Sequence, residues 1–254
     1  MITVMGSFSF ARVVPRLRQS TALCCASSSP STTMFSTRLG TSGMGMTAED
    51  CRSLVICGPS GAGKGTLITK LLARYPDTLS LSVSHTTRAP RPGEVEGLHY
   101  HFVAYEKMAA DIASQESNTR PAGRKFLEYA EVHKNLYGTS LKAVQNIWTK
   151  GKLAILDVDT KGVQQIRNSR SVLAKYIFVV PPNIPELRKR LENRGTETPT
   201  QIETRLANAE AQLQFAQDNH RIWDLVLLND NLDLCTETLE GVLKAWFPAY
   251  LAKR

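Results

Sequence analysis

A glycine-rich stretch at residues 58–66, reading Gly-Pro-Ser-Gly-Ala-Gly-Lys-Gly-Thr, limits what this chain can fold into more than any other feature. An apolar run at residues 54–57 precedes it, and apolar residues at helical spacing follow it. This order of strand, glycine turn and helix is typical of a phosphate-binding loop. Glycines allow successive backbone N–H groups to turn toward an anion, and the helix N-terminus adds its positive dipole. The stretch therefore predicts a bound nucleotide, with Lys64 supplying charge to its outer phosphates.

Position 65 departs from the usual pattern of such loops. A Ser or Thr normally follows the lysine, and its hydroxyl commonly binds Mg²⁺. This chain has Gly65 there and its next hydroxyl at Thr66. Adenylate kinases resemble the chain in carrying Gly-Lys-Gly-Thr, so the change is compatible with a nucleotide kinase. We expect Mg²⁺ to be held mainly by phosphates and water.

Size and charge exclude several classes of protein. A chain of 254 residues with 42% hydrophobic residues is long enough for one globular unit with extensions. No apolar run reaches the ~20 residues that a membrane span needs, so no membrane partner is expected. Four arginines in the first 48 residues account for half of the net charge of +8. We therefore predict no nucleic-acid partner. The five cysteines show no paired metal-ligand spacing, which favours a reducing compartment.

Residues 1–48 have the composition of an organellar transit peptide. They are rich in Ser and Thr and contain arginine but no Asp, Glu or Lys. We predict import into a mitochondrion or plastid. The alternatives are a disordered extension on a cytoplasmic protein, or upstream sequence omitted when translation starts at Met44 or Met46. We exclude this segment from the fold.

Short apolar runs alternate with amphipathic segments through the rest of the chain. The runs expected to be strands include residues 153–159, 175–180 and 224–229. The polar residues 111–125, with Pro121 and Gly123, predict a surface loop. Continuous apolar strands joined by helices indicate a parallel sheet covered on both faces, which is the α/β class.

Five motifs, in order along the chain, resemble the guanylate kinase family between residues 52 and 248. They are the glycine-rich stretch at 58–66, Ser-His-Thr-Thr-Arg-Ala-Pro-Arg-Pro-Gly-Glu at 84–94, Tyr-Gly-Thr-Ser at 137–140, Ile-Leu-Asp-Val-Asp at 155–159 and Arg-Gly-Thr-Glu-Thr at 194–198. Five ordered motifs are far more specific than one loop.

The resemblance implies a guanylate kinase-like domain at residues 52–250. Its P-loop core, a parallel sheet flanked by helices, would comprise residues 52–83 and 140–250. A small GMP-binding domain would comprise residues 84–139, and a short lid at about 190–205 would close over ATP. Relatives join the preceding helix to the Glu128 strand by a short turn, whereas this chain carries about ten additional polar residues at 114–125.

The GMP site implied by the resemblance can be compared with the chemistry of the ligand. Guanine presents O6 as an acceptor and N1–H and N2–H₂ as donors, so its site needs a carboxylate and hydroxyls. Glu128 matches the family's base-reading acid, and Ser84 and Thr139 match its hydroxyl donors. The residues matched to the GMP phosphate are Arg88, Arg91, Tyr100 and Tyr137. Asp157 and Asp159 lie at the carboxyl end of a strand expected to be buried, where ligands gather in open α/β sheets. One is expected in the Mg²⁺ water shell and the other at the guanine, without a choice between them.

The ATP site implied by the resemblance uses the phosphate loop and the lid. Its residues are Gly58, Ser60, Gly61, Ala62, Gly63, Lys64, Gly65, Thr66, Arg190, Arg194, Asn229 and Asp230. The GMP phosphate is already largely deprotonated at pH 7, so the reaction needs charge neutralisation and no general base. The expected catalytic cations are Lys64, Arg91, Arg194 and Arg205.

The function implied is ATP-dependent phosphorylation of GMP and dGMP with Mg²⁺, by a monomer, in purine nucleotide metabolism and GMP recycling. Two alternatives stay open. One is a kinase for another nucleoside monophosphate, which would lack an acid like Glu128. The other is a non-catalytic guanylate-kinase-like scaffold module, which would have lost the loop lysine and the lid arginines.

Overall fold

A computed structural model of the chain describes residues 51–117, 123–132, 134–195 and 197–251. The transit peptide predicted at residues 1–48 lies outside the described residues, so it stays a prediction. Within the described ranges, no helix combines the length and apolar character that crossing a membrane requires.

The described residues form strands and helices that alternate over most of the chain. The strands are β1 (Ser53–Cys57), β2 (Leu79–Leu81), β3 (His85–Thr86), β4 (His101–Phe102), β5 (Phe126–Val132), β6 (Asn135–Ser140), β7 (Leu153–Asp157), β8 (Ala174–Val180) and β9 (Leu225–Leu228). The helices are α1 (Lys64–Arg74), α2 (Tyr105–Ser117), α3 (Leu141–Thr149), α4 (Thr160–Ser169), α5 (Ile184–Asn193), α6 (Pro199–Asp218), α7 (Leu232–Trp246) and α8 (Pro248–Leu251).

The larger sheet is parallel throughout, with strand order β2-β7-β1-β8-β9. All five residues of β1 are buried, because alternate side chains enter apolar clusters on opposite faces of the sheet. Leu54 and Ile56 join the cluster that includes residues of α1 and α7, and Val55 and Cys57 join the other. The prediction of an α/β fold with a parallel sheet flanked by helices is confirmed.

Three loops that contain sequence motifs lie at the carboxyl ends of the parallel strands. The glycine-rich stretch follows β1, Asp159 follows β7, and Asn229 follows β9. In parallel α/β sheets this edge is where ligands bind, because strand ends and helix N-termini meet there. The fold therefore brings motifs that are far apart in sequence to one edge.

The smaller sheet has strand order β4-β3-β6-β5. Helix α2 packs on it through an apolar cluster that includes Met108, Ile112, Phe126 and Leu136. The strands β3 and β4 have only two residues each, which is too short for an alternating pattern to reveal.

The surface loop predicted at residues 111–125 is wrong over its first half, because α2 continues to Ser117. The helix is amphipathic with a polar residue at a buried position. Gln115 is buried, accepts hydrogen bonds from Lys125 N at 2.9 Å and Phe126 N at 2.8 Å, and donates to Phe126 O at 3.0 Å. Because Gln115 is polar, the apolar periodicity that predicts a buried helix face ends before it, and the sequence pattern predicts a loop at the end of α2. Residues 118–122 of the predicted loop lie outside the described residues.

Helices α5 and α6 pack on each other with a separate apolar cluster of Leu187, Leu191, Ile202, Leu206 and Ala209. Helix α6 begins with a capping box, in which Thr198 and Gln201 each accept from the other's backbone N–H, and with Pro199 in its first turn. The cluster buries one face of α5 and one face of α6.

Candidate active site

The glycine-rich stretch forms a tight loop between β1 and α1. Gly58 and Gly63 have φ values of 142° and 96°. An added Cβ would lie 2.2 Å from Val179 O at Gly58 and 2.1 Å from Asn229 Nδ2 at Gly63, so no other residue fits either position. No described side chain caps the first turn of α1, and that turn contains no acidic residue. Its backbone N–H groups are therefore suited to an anion.

Lys64 lies across this loop. Its ammonium donates to Gly58 O at 2.6 Å and Pro59 O at 3.2 Å, and it lies 4.0 Å from Asp157 Oδ1. Only 15% of its side chain is exposed. The structure thus holds the lysine charge against the loop, where a phosphate would be bound.

Asn229 is a support of the loop. It is 4% exposed, and its Nδ2 donates to Ala62 O at 2.8 Å. Its backbone oxygen accepts from Arg190 Nη2 at 3.1 Å, and Arg190 Nε also donates to Glu186 at 3.1 Å. The neighbouring Asp230 is exposed and accepts from Asn231 N. The predicted ATP-site residues Arg190 and Asn229 are therefore in contact with each other.

Arg205 connects α6 to the loop. Its Nη1 donates to Ser60 Oγ at 2.8 Å, and its Nε pairs with Glu197 at 2.9 Å. Arg194, the other catalytic arginine predicted in the segment 190–205, follows the last residue of α5 as its C-cap and is exposed. Of the two, the structure brings Arg205 to the phosphate loop and leaves Arg194 facing solvent.

Asp157, the last residue of β7, and Asp159, two residues later, face different partners. Asp157 lies beside Lys64, and desolvation raises its pKa while the lysine charge acts in the opposite direction. Although 39% of the side chain is exposed, the remainder is enclosed by protein. Asp159 caps α4, where its Oδ1 accepts from Gly162 N at 2.8 Å, and its charge also acts on Glu128. This short segment therefore joins the phosphate loop to the predicted base site.

Glu128 lies on β5 and is buried. Thr139 Oγ1 donates to Glu128 Oε1 at 2.6 Å, and Ser84 Oγ lies 3.4 Å from Thr139 Oγ1. Burial raises the pKa of Glu128 to about 7, with the Asp159 charge adding to the rise and the Thr139 hydrogen bond opposing it. The structure brings together all three residues predicted to read the base.

The residues predicted to bind the GMP phosphate lie close to one another around Arg88, which is one of them. Its guanidinium lies 5.6 Å from the centroid of the Tyr100 ring, and the Tyr100 and Tyr137 rings are 6.1 Å apart. Arg88 Nη2 donates to Glu94 Oε1 at 2.9 Å, and Arg91 N donates to Glu94 Oε2 at 2.7 Å. These bonds lower the pKa of Glu94 to about 2. The side chain of Arg91 is exposed.

Sequence reasoning gave Glu94 no role, although its carboxylate holds the turn that carries both arginines. Its position six residues after Arg88 and three after Arg91 is the signal that could have identified it. A carboxylate at that spacing can reach both partners when Pro92 and Gly93 tighten the turn.

The comparisons with known proteins agree on one family. The family model described as "Guanylate kinase" matches residues 50–246. Guanylate kinase 1 of Oryza sativa subsp. japonica is 47% identical over 78% of this chain and 49% of its own length. Guanylate kinase of Sus scrofa is 43% identical over 76% of this chain and 91% of its own length. The chain thus spans about half the length of the rice relative and most of the pig relative.

A solved structure agrees with the sequence relatives. The crystal structure of guanylate kinase from Anaplasma phagocytophilum has a TM-score of 0.55 to this chain and is 25% identical. It covers 78% of this chain, and the match takes in 86% of its own length. The family model's residues 50–246 include every site residue described above, and the relatives and the solved structure are all guanylate kinases, so the chain belongs to the guanylate kinase family.

Proposed function

We propose that this chain transfers the terminal phosphoryl group of ATP to GMP, and to dGMP, giving GDP or dGDP. The observation that carries the proposal is the hydrogen-bonded pair of the buried Glu128 and Thr139, with the half-buried Ser84 next to Thr139 and the Asp159 charge acting on Glu128. The Lys64 loop supplies the phosphate-binding half of the site. The reaction would return GMP to the purine nucleotide pool.

The base-reading group favours guanine over adenine for a physical reason. An ionised Glu128 accepts hydrogen bonds from N1–H and N2–H₂ of guanine, and the Ser84 hydroxyl can donate to O6. The Thr139 hydroxyl donates to Glu128 in this structure, so it would have to release that bond before donating to O6. Adenine has a lone pair at N1 and no 2-amino group, so the carboxylate would be left unpaired. Unpaired buried polar groups support discrimination of about 10⁴-fold or more. The proposed contacts address base and phosphate and not the 2′-hydroxyl, which is why dGMP is included.

The chemical step requires no base from the protein. A phosphate monoester has its second pKa near ~6, so the attacking oxygen of GMP is already deprotonated at pH 7. Arg88, Arg91, Tyr100 and Tyr137 would hold that phosphate, while Lys64 and Arg205 neutralise charge on the transferring group. Arg194 would enter the site from the lid when nucleotide binds. The chain's contribution is thus positioning and charge.

Mg²⁺ fits this site as an ion held mainly by nucleotide phosphates and water. Among the described residues no cluster of three or more His, Cys, Asp or Glu side chains is arranged to hold a metal. Asp157 presents a partly exposed carboxylate beside Lys64, and Gly65 has no side chain to contribute. We therefore assign Asp157 to the Mg²⁺ water shell and Asp159 to the guanine side. When bound, the ion neutralises phosphate charge.

The structural units would divide the work. We propose that residues 84–139, which contain the smaller sheet, bind GMP and that the α5–α6 pair acts as the lid over ATP. The remainder of residues 52–250 would be the P-loop core. The scaffold alternative is disfavoured because Lys64 and Arg205 are present and both contact the loop.

Turnover on a panel of nucleoside monophosphates tests the proposal. With ATP and Mg²⁺, we expect GMP and dGMP to be phosphorylated and AMP, UMP and CMP to be poor acceptors. A rate with AMP or UMP above that with GMP would overturn the base assignment. No turnover of any acceptor, with GMP still bound, would favour the scaffold alternative.

A further inference from the structure

Strand β5, which carries Glu128, is an edge strand of the smaller sheet. Tyr129 lies opposite Gly138 of β6, and in an antiparallel pair the backbone N–H and C=O of alternate residues point away from the partner strand. The Tyr129 groups point away from β6, because both are bonded to a helix residue. The side-chain amide of Gln165 on α4 makes the hydrogen bonds to Tyr129 that a further strand would otherwise make. Its Oε1 accepts from Tyr129 N at 2.9 Å, and its Nε2 donates to Tyr129 O at 2.8 Å. One amide thus fixes the backbone of the residue next to Glu128.

Gly162, one turn earlier on α4, lies behind the Glu128 side chain. A Cβ added at Gly162 would be 3.3 Å from both Cγ and Oε2 of Glu128 and 3.2 Å from Val158 Cβ. The same residue donates its N–H to Asp159. The carboxylate therefore lies against the first turn of a helix that begins at the phosphate edge of the core.

We propose that Gln165 and Gly162 are positioning residues for guanine recognition. Gln165 fixes the position of β5, which carries Glu128, along the axis of α4. Gly162 has no side chain, which leaves the space that the carboxylate occupies. The helix α4 follows β7 and Asp159, so it ties the position of the base-reading acid to the part of the core that contacts the transferring phosphate. This inference rests on the proposed function.

The first test replaces Gln165 by Leu, which removes both hydrogen bonds at similar size. We expect the KM for GMP to rise about 10-fold to 100-fold, with the KM for ATP within twofold of wild type. The preference for GMP over IMP, which lacks the 2-amino group, should also fall. The matched control is Gln164→Leu, which makes the same change at the exposed neighbouring position of the same helix.

If Gln165 only stabilised the fold, the same variant would behave differently. Gln165→Leu would then lower the melting temperature but leave the KM for GMP and the GMP/IMP preference within twofold of wild type well below that temperature. That result would overturn the proposal for Gln165.

The second test is Gly162→Ala, which breaks no hydrogen bond. Its methyl carbon would lie 3.2 Å from Val158 Cβ and 3.3 Å from the Glu128 carboxylate, so these side chains must shift by a few tenths of an ångström. We expect a selective rise in the KM for GMP, with the KM for ATP unchanged. An unchanged KM for GMP would overturn the role of Gly162. Absence of GMP turnover by the wild-type chain would instead refute the proposed function itself.

Discussion

Glu128 is a buried carboxylate whose protonation state decides whether it can accept hydrogen bonds from guanine. Burial raises its pKa to about 7, so in the protein without GMP the Glu128 carboxyl is half protonated near neutral pH. Below pH 7 the proton must leave before guanine can bind. The affinity for GMP should therefore fall as the pH is lowered.

We predict a KM for GMP about tenfold higher at pH 6 than at pH 8 from this group alone. The GMP phosphate also titrates in this range, so the matched control is Glu128→Gln, which experiences the same phosphate titration without the carboxylate. The KM ratio of wild type to variant should rise as the pH falls. A ratio independent of pH would show that Glu128 does not titrate near 7.

The same pKa predicts an effect on stability. The pKa of Glu128 is about 7 in the folded chain and 4.5 at its ordinary value, so the folded state binds the proton more tightly than the unfolded state. This favourable contribution to the free energy of unfolding is lost as the pH rises from about 4.5 to 7. Glu128→Gln removes the charge and keeps an acceptor for Thr139. We expect its free energy of unfolding to exceed that of wild type by about 1–3 kcal/mol at pH 8 and to be similar at pH 4.5. Denaturant titration at both pH values measures this, and a variant less stable at pH 8 would contradict it.

At the scale of elements, the turn after β9 supports the phosphate loop. The resemblance implied that Asn229 binds ATP, and the structure shows its amide nitrogen bonded to Ala62 O. Replacing Asn229 by Ala leaves that carbonyl without its donor and opens space beside Gly63. The loop should then lose its fixed shape.

We therefore predict that Asn229→Ala raises the KM for ATP about tenfold or more, because a loop carbonyl loses a buried hydrogen bond. The dissociation constant for GMP, measured by calorimetry, should stay within twofold. Asn229→Asp has a similar volume but cannot donate, so it should behave like the Ala variant. Wild-type kinetics in Asn229→Asp would show that the bond to Ala62 is not needed.

At the scale of the whole molecule, every described site residue lies between Gly58 and Asp230, and the segment 1–48 supplies none of them. We predict that a chain beginning at Thr47 keeps kcat and both KM values within twofold of the full chain. A reporter fused to residues 1–48 should reach a mitochondrion or plastid. Loss of activity by a shortened chain that still folds, as judged by circular dichroism, would contradict the first expectation.

Much of the fold was predictable because the strands of the parallel sheet are continuous apolar runs, as in β1 and β8. In the smaller sheet the strand that carries Glu128 was predictable, but β3 and β4 were not, because they are held by neighbours that are distant in sequence. The buried Gln115 likewise concealed the end of α2. The hydrogen bonds of such residues are made only when the chain has folded.

The candidate site shows the same division. Residues that match motifs, such as Lys64 and Glu128, could be named from the sequence. Glu94 and Gln165 were not named, because each acts by holding the backbone or side chain of another residue. For Glu94 the only signal was its spacing to Arg88 and Arg91. No local spacing announces a supporting contact of that kind across 36 residues, as between Gln165 and Tyr129.

The central claim is that Glu128 reads guanine for an ATP-dependent kinase. The most direct measurement is the steady-state KM for GMP of Glu128→Gln at pH 8, with the KM for ATP measured in the same variant. We predict a rise of about 100-fold for GMP, because a charged acceptor facing two donors is lost, and a change below twofold for ATP. A KM for GMP equal to that of wild type would contradict the account.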